Sequence, residues 1–179
     1  RFFTQLNGEG WVFDRPAHVY VVAVDGTGTP HNLTPGEFQH SNIAWLADSS
    51  GIVTHAQRHD TWDLDFAEDL YRVGLDGSVH ALTAQTGIYH HPSVSPDGST
   101  IAMLGLDDAS TYPQNVKVGV LPSDGGEHRW ISTRLDRPFE TTAGTATPRW
   151  IDATTLLATA EDRGETHILR VTTDGVTPT

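Results

Sequence analysis

The densest chemistry in the sequence is the stretch Arg58-His59-Asp60-Thr61-Trp62-Asp63-Leu64-Asp65-Phe66-Ala67-Glu68-Asp69, where five carboxylates gather around one Arg and one His. Clustered oxygens suit a hard cation such as calcium. The stretch nevertheless lacks the glycine and the distal glutamate of an EF-hand loop. Its acidic side chains are therefore read as tying the loop to its own backbone, as Asp does in turns. Trp62 and Phe66 read as apolar anchors of the same loop. His55 and His59 are four apart, and His90 and His91 are adjacent. Paired imidazoles can ligate zinc, but His55 ends a strand-like run, so helical spacing does not apply. No cysteine is available and His-Glu-x-x-His is absent. No metal site and no cofactor are expected.

Other chemistry is thin. Asn7-Gly8-Glu9-Gly10-Trp11 has the glycines of a phosphate loop without its Lys-Ser/Thr or a following helix, so nucleotide binding is not expected. A Gly-x-Ser-x-Gly elbow for a nucleophilic serine does not occur, and no catalytic residue is assigned. The absence of cysteine excludes thiol chemistry and leaves the redox compartment open. A net charge of -12 argues against nucleic acid and anionic membrane as partners and reads as a solvated surface. No apolar run is long enough for a membrane-spanning helix. Arg1-Phe2-Phe3-Thr4 carries no initiator Met and no signal pattern, and reads as the end of a strand in a piece of a longer protein.

The elements that must position these residues repeat. Four apolar runs, beginning at His18, Leu70, Val116 and Ile168, stop at Asp25-Gly26, Asp76-Gly77, Asp124-Gly125 and Asp174-Gly175, about 50 residues apart. A second element recurs within the period. Ile43-Ala44-Trp45-Leu46-Ala47-Asp48 lines up with Pro92-Ser93-Val94-Ser95-Pro96-Asp97 and with Pro148-Arg149-Trp150-Ile151-Asp152. Strands and tight turns at this period predict an all-β fold, a partial β-propeller of about four antiparallel four-stranded blades. Trp45 and Trp150 share one repeat position and are expected to fill the wedge between blades.

The blades are placed at 1–34 (partial), 41–83, 92–132 and 147–179. In the first, 1–4, 17–24 and 30–34 supply strands. The second uses 41–46, 51–55, 69–75 and 78–83; the third 92–95, 100–105, 115–121 and 127–132. The fourth uses 147–151, 155–159, 167–173 and the tail after Gly175. Antiparallel order puts the short Asp turns at one end of the sheets. The long connections 5–16, 56–68, 106–114 and 133–146 share the other end, where function is expected. Such a segment belongs to a larger ring, seven- or eight-bladed. Its open edges predict self-association into a homo-oligomer.

Pro92-Ser93-Val94-Ser95-Pro96-Asp97-Gly98, with the strand after it, resembles the TolB-type propeller repeat, Pro-x-Trp-Ser-Pro-Asp-Gly. Val94 stands where that repeat has Trp, and Leu46-Ala47 replaces Ser-Pro in the first copy. Three segments in order, Asn7 to Pro16 leading into His18-Val19-Tyr20, then Arg58 to Asp65, then Asp69-Leu70-Tyr71-Arg72-Val73, resemble the propeller of prolyl oligopeptidase-family serine peptidases of the acylaminoacyl-peptidase and dipeptidyl-aminopeptidase type. The resemblance covers nearly the whole chain. It implies a non-catalytic propeller that gates and selects short peptides for a C-terminal α/β-hydrolase domain of the same protein, that domain being absent from this chain. It also implies Arg58, Asp63 and Asp65 as substrate-binding residues, an acidic one pairing with a peptide's amino terminus. A cytoplasmic location is expected. The alternative is a TolB-like interaction scaffold with no enzymatic activity. A propeller lactonase or glycosidase would need carboxylates at the starts of the first strands, where Ser41, His90 and Thr147 stand instead.

Overall fold

The inner strands of this chain are apolar on both faces, so each must be covered twice. Along Ile101-Ala102-Met103-Leu104-Gly105-Leu106 every residue is buried. Side chains alternate across a strand. Ile101 and Met103 accordingly join one apolar cluster, while Ala102, Leu104 and Leu106 join another. A strand that feeds two cores needs a layer on each side, and the neighbouring sheets supply those layers.

The structure is a computed structural model describing residues 5–6, 11–12, 16–84, 86–111, 113–141 and 144–175. Strands β1 (Gln5–Leu6) and β2 (Trp11–Val12) pair antiparallel, as do β3 (Tyr20–Val21) and β4 (His31–Asn32). β5 (His40–Trp45), β6 (Gly51–Ala56), β7 (Asp69–Gly74) and β8 (Val79–Ala81) form a meander in chain order. β9 (Ile88–Val94), β10 (Thr100–Leu106), β11 (Lys117–Pro122) and β12 (Arg129–Trp130) form a second. β13 (Arg149–Trp150), β14 (Thr155–Asp162) and β15 (Glu165–Thr172) form a third. The described residues contain no helix. First strands stand side by side, β5 against β9 and β9 against β13, so the sheets fan out from a common line. This is part of a β-propeller.

Three seams hold the fan together. Val19 and Leu33 meet Ile52 and Val73 in the first. Leu46, Val53 and Leu70 meet Tyr89, Ile101, Met103 and Leu121 in the second. In the third, Leu104, Val118 and Val120 meet Leu156, Ala158 and Val171. Beyond it, Ile168 on the far face of β15 is 71% exposed.

Turn chemistry recurs. Asp25, Asp48, Asp76, Asp97 and Asp152 each accept the backbone N–H two residues on, at 2.8–3.1 Å. Serine hydroxyls first at Asp76 (Ser78) and Asp97 (Ser95), and these backbone bonds first at the other three, favour the ionised form and lower each carboxyl's pKa.

Several elements differ from their sequence-based outlines. β9 begins at Ile88, four positions before Pro92, because Tyr89 N–H donates to Glu68 O (2.9 Å) and Glu68 N–H to Gly87 O (3.0 Å). β14 and β15 run on to a two-residue turn, Arg163-Gly164, with φ of 52° and 80°. Two positive φ angles match the right-handed twist of a hairpin. β1 and β2 lie inside the segment expected to be a long connection. The strand expected at 1–4 and the tail 176–179 lie outside the described residues. Trp150 fills its wedge, its Nε1–H donating to Ser93 O at 2.9 Å. Trp45 does not fill one: it is 52% exposed, because the small β3–β4 sheet covers Ile52 and Val73 and stops short of it.

Seam burial sets the stability. Leu104→Ala, in the third seam, is expected to cost about 2–5 kcal/mol in urea unfolding. Ile168→Ala, on the open face, should cost less than about 1 kcal/mol. Equal costs would contradict the seam assignment.

Candidate functional site

Two irregularities at one repeat position build a polar site at the long-connection end of the second seam. In β5 the pairing with β6 runs His40↔Ala56 and Ser41↔His55, then shifts before Ala44↔Val53. In β9 the pairing with β10 shifts likewise between Ser93 and His90. Within the shifts Asn42 (φ 46°) and His91 (φ 53°) take left-handed backbone. A bulge bends its strand and re-aims a side chain, and non-glycine residues hold such φ only when their surroundings enforce it.

The re-aimed side chains converge on His55. Its Nδ1–H donates to Glu68 Oε2 at 3.1 Å, and its Nε2 lies 2.8 Å from Asn42 Oδ1. The His91 ring stacks on it, with centroids 6.2 Å apart and planes at 20°. His90 and His91 share a hydrogen bond between their Nδ1 atoms at 2.6 Å. Burial works against ionisation of Glu68, but the hydrogen bond from His55 and the electrostatic pull of that imidazole, with smaller contributions from His90 and His91, outweigh it and hold the carboxyl below its ordinary value. Burial pushes the His90 pKa down to about 4, helped by His91 and His55 and opposed by Glu68. His91 is lowered for the same first cause, then by His55. A carboxylate thus fixes one imidazole beside two neutral ones, an arrangement able to accept and relay protons. Among the described residues no three His, Asp or Glu side chains stand where they would hold a metal ion.

The neighbouring loop explains where the sequence candidates go. Asp65 is its internal clamp: it accepts from Thr61 Oγ1 (2.6 Å), His59 Nε2 (2.9 Å) and the Ala67 N–H (2.9 Å). Burial raises the Asp65 pKa, and these bonds overcome it to leave the carboxyl below the usual range. The Arg58 guanidinium lies over the rings of Phe38 (5.0 Å) and Tyr71 (5.8 Å) and donates to His40 Nε2 at 3.0 Å. Burial first, then Arg58, presses the His40 pKa down to about 4. Asp63 is half-buried in the same loop. Of the two expected anchors, Trp62 is half-buried, but Phe66 is 70% exposed, because Asp65 rather than the ring holds the loop. Sequence reasoning treated His55, His90 and His91 as separate pairs. The signal that joins them is the shared repeat position of Asn42 and His91.

No family model matches the chain, and no curated protein matches it in sequence. Solved structures do match in fold. A protein described as TolB from Agrobacterium tumefaciens superposes with a TM-score of 0.67 at 18% identity, over 90% of this chain and 55% of that one. A Mycobacterium tuberculosis puromycin-hydrolyzing peptidase gives 0.66 at 16% identity, over 90% of this chain and 28% of the other. An oligogalacturonate lyase in complex with manganese gives 0.64 at 16%, over 91% and 43%. The chain therefore spans from about a quarter to about a half of the structures it resembles. At these identities the likeness establishes the propeller architecture.

Acid should destabilise the fold. His40 and His90 titrate at about 4 in the folded protein, against 6.5 ordinarily, so between those values the unfolded chain binds more protons. Their stabilisation is complete above pH 6.5 and is lost as pH falls through about 4, on the order of 3 kcal/mol for each histidine. Urea midpoints measured across that window should fall steadily, and His90→Gln should flatten the slope. An unchanged slope in the variant would remove His90 from this role.

Proposed function

We propose that this chain is the non-catalytic propeller segment of a serine peptidase acting on short peptides, selecting substrate for a C-terminal α/β-hydrolase domain. The observation that carries the proposal is the fold likeness to part of a puromycin-hydrolyzing peptidase, in a chain whose segments from Asn7, Arg58 and Asp69 also resemble that class of propeller. Selection is by size and by charge. A ring of stiff sheets admits an extended peptide and turns away a folded protein. Its long connections line the end at which peptide and hydrolase would meet. In this reading Asp63 contacts the peptide's amino terminus, while Arg58 and Asp65 position the loop that carries it.

A TolB-like scaffold is the second reading, favoured by the equally good superposition on TolB. The two separate in one assay on the full product of the reading frame and on this segment, using aminoacyl and acyl-aminoacyl nitroanilides. The peptidase reading expects hydrolysis by the full product alone. It further expects Asp63→Asn to raise KM several-fold for substrates with a free amino group and to leave acylated ones unchanged. Inactivity of both samples would overturn the peptidase and favour the scaffold.

A further inference from the structure

Asp-Gly pairs occur at Asp25, Asp76, Asp97, Asp124 and Asp174. All of them sit in one kind of turn. The glycine N–H donates to the carbonyl three residues back, at 3.1, 3.0, 2.9, 3.0 and 2.9 Å in chain order. The glycines take φ between 74° and 127°, backbone that suits a residue without Cβ. Their carboxylates are treated differently. Asp25 accepts from Thr27 N–H (2.9 Å) and Oγ1 (2.7 Å), and Asp76 from Ser78 N–H (3.0 Å) and Oγ (2.7 Å). Asp97 accepts from Ser99 N–H (3.1 Å) and from the Ser95 and Ser99 hydroxyls (2.6 and 3.0 Å). These bonds hold the three carboxyls below their ordinary pKa, the Thr27 N–H leading at Asp25 and the Ser78 and Ser95 hydroxyls leading at Asp76 and Asp97. At Asp124 the residue two on is Gly126, which has no hydroxyl, and the exposed carboxylate accepts no bond among the described residues. The residue two after Asp174 lies outside the described residues.

We infer that Asp124 is a modification site, converting to isoaspartate well ahead of Asp25, Asp76 and Asp97. The Gly125 nitrogen attacks Asp124 Cγ. An N–Cγ bond forms, the Cγ–OH bond breaks, and the hydroxyl leaves with the amide proton as water. Water then opens the five-membered succinimide: attack at Cγ restores aspartate, and attack at the former backbone carbonyl gives isoaspartate. One water is lost and one regained, so the step needs no other reagent. Glycine favours it, because no side chain crowds the attacking nitrogen. Gly125 N–H must first leave Pro122 O, but the other glycines carry the same bond and the same handicap. The carboxyl makes the difference. An aspartate bonded to the backbone two residues on is fixed there, while the untied Asp124 side chain is free to turn towards its neighbour's nitrogen. The product has one more methylene in its backbone, at a turn that rests on the second seam. A Cβ on Gly125 would stand 3.4 Å from Leu82 Cδ2 and 3.6 Å from Leu82 Cα, so the lengthened turn must shift against Leu82. The chemistry needs no hydrolase domain and holds on either reading of the function.

The test holds the full product of the reading frame at neutral pH for several weeks, once folded and once in urea. Peptides are then mapped by mass spectrometry with electron-transfer fragmentation, which separates isoaspartate from aspartate. In the folded sample isoaspartate should build up at position 124 several-fold faster than at 25, 76 and 97. In urea the four rates should draw together. Ser78→Gly gives the second turn the Asp-Gly-Gly of the third, and should raise the folded-state rate at Asp76 towards that of Asp124. Thr27→Gly asks the same of Asp25 in the exposed β3–β4 turn, should the Ser78 variant fail to fold. Equal folded-state rates at the four positions overturn the inference. So does the same ranking in urea, which would trace it to local sequence, or a glycine variant that folds and leaves its aspartate as slow as before.

Discussion

No sheet in this protein can bury its own faces. β10 shows the constraint most plainly, with Ile101 and Met103 committed to one seam and Ala102, Leu104 and Leu106 to the next. Each of the two four-stranded sheets is thus a wall shared by two cores, and its stability is a sum of neighbour terms more than a property of its own strands. The open far face of the last sheet and the half-covered Trp45 near the first are the two ends of that logic.

The polar site exists because a seam has ends. Apolar packing fills the middle of the second seam, where Val53 and Leu70 meet Ile101 and Met103. At the long-connection end two bulged residues, Asn42 and His91, turn polar side chains into the same gap. Left-handed backbone at a non-glycine residue costs of order 1–3 kcal/mol. Here the hydrogen bonds and ring contacts around His55 offset it. The arrangement places three imidazoles between two sheets, so its protonation and its packing cannot be separated.

Much of this was legible in the sequence. The Asp-Gly turns, the period and the short apolar runs of β6, β10 and β11 carry the architecture, because strand pairing and turn geometry follow from local residue types. The site was less legible. Asn42 and His91 face the seam only because each strand slips in register, and a slip reverses the facing that alternation predicts. The acidic loop shows a second limit. That Asp65 would tie the loop to itself follows from its chemistry, and three hydrogen bonds do so. Phe66 was expected inside because aromatic rings usually are, yet a loop closed by carboxylate bonds has no need of an apolar anchor.

The two-sided strands also bear on how such a chain can change through descent. Deleting one residue from β10 would exchange the contents of two seams at once, moving Leu104 to where Met103 belongs and carrying every later side chain with it. Small length changes are therefore filtered out of the strands, and the connections at one end absorb them. Lineages of this architecture should diverge by lengthening or trimming those connections and by gaining or losing a whole sheet. Novelty would accumulate on a single rim while the walls below it stay nearly constant in length.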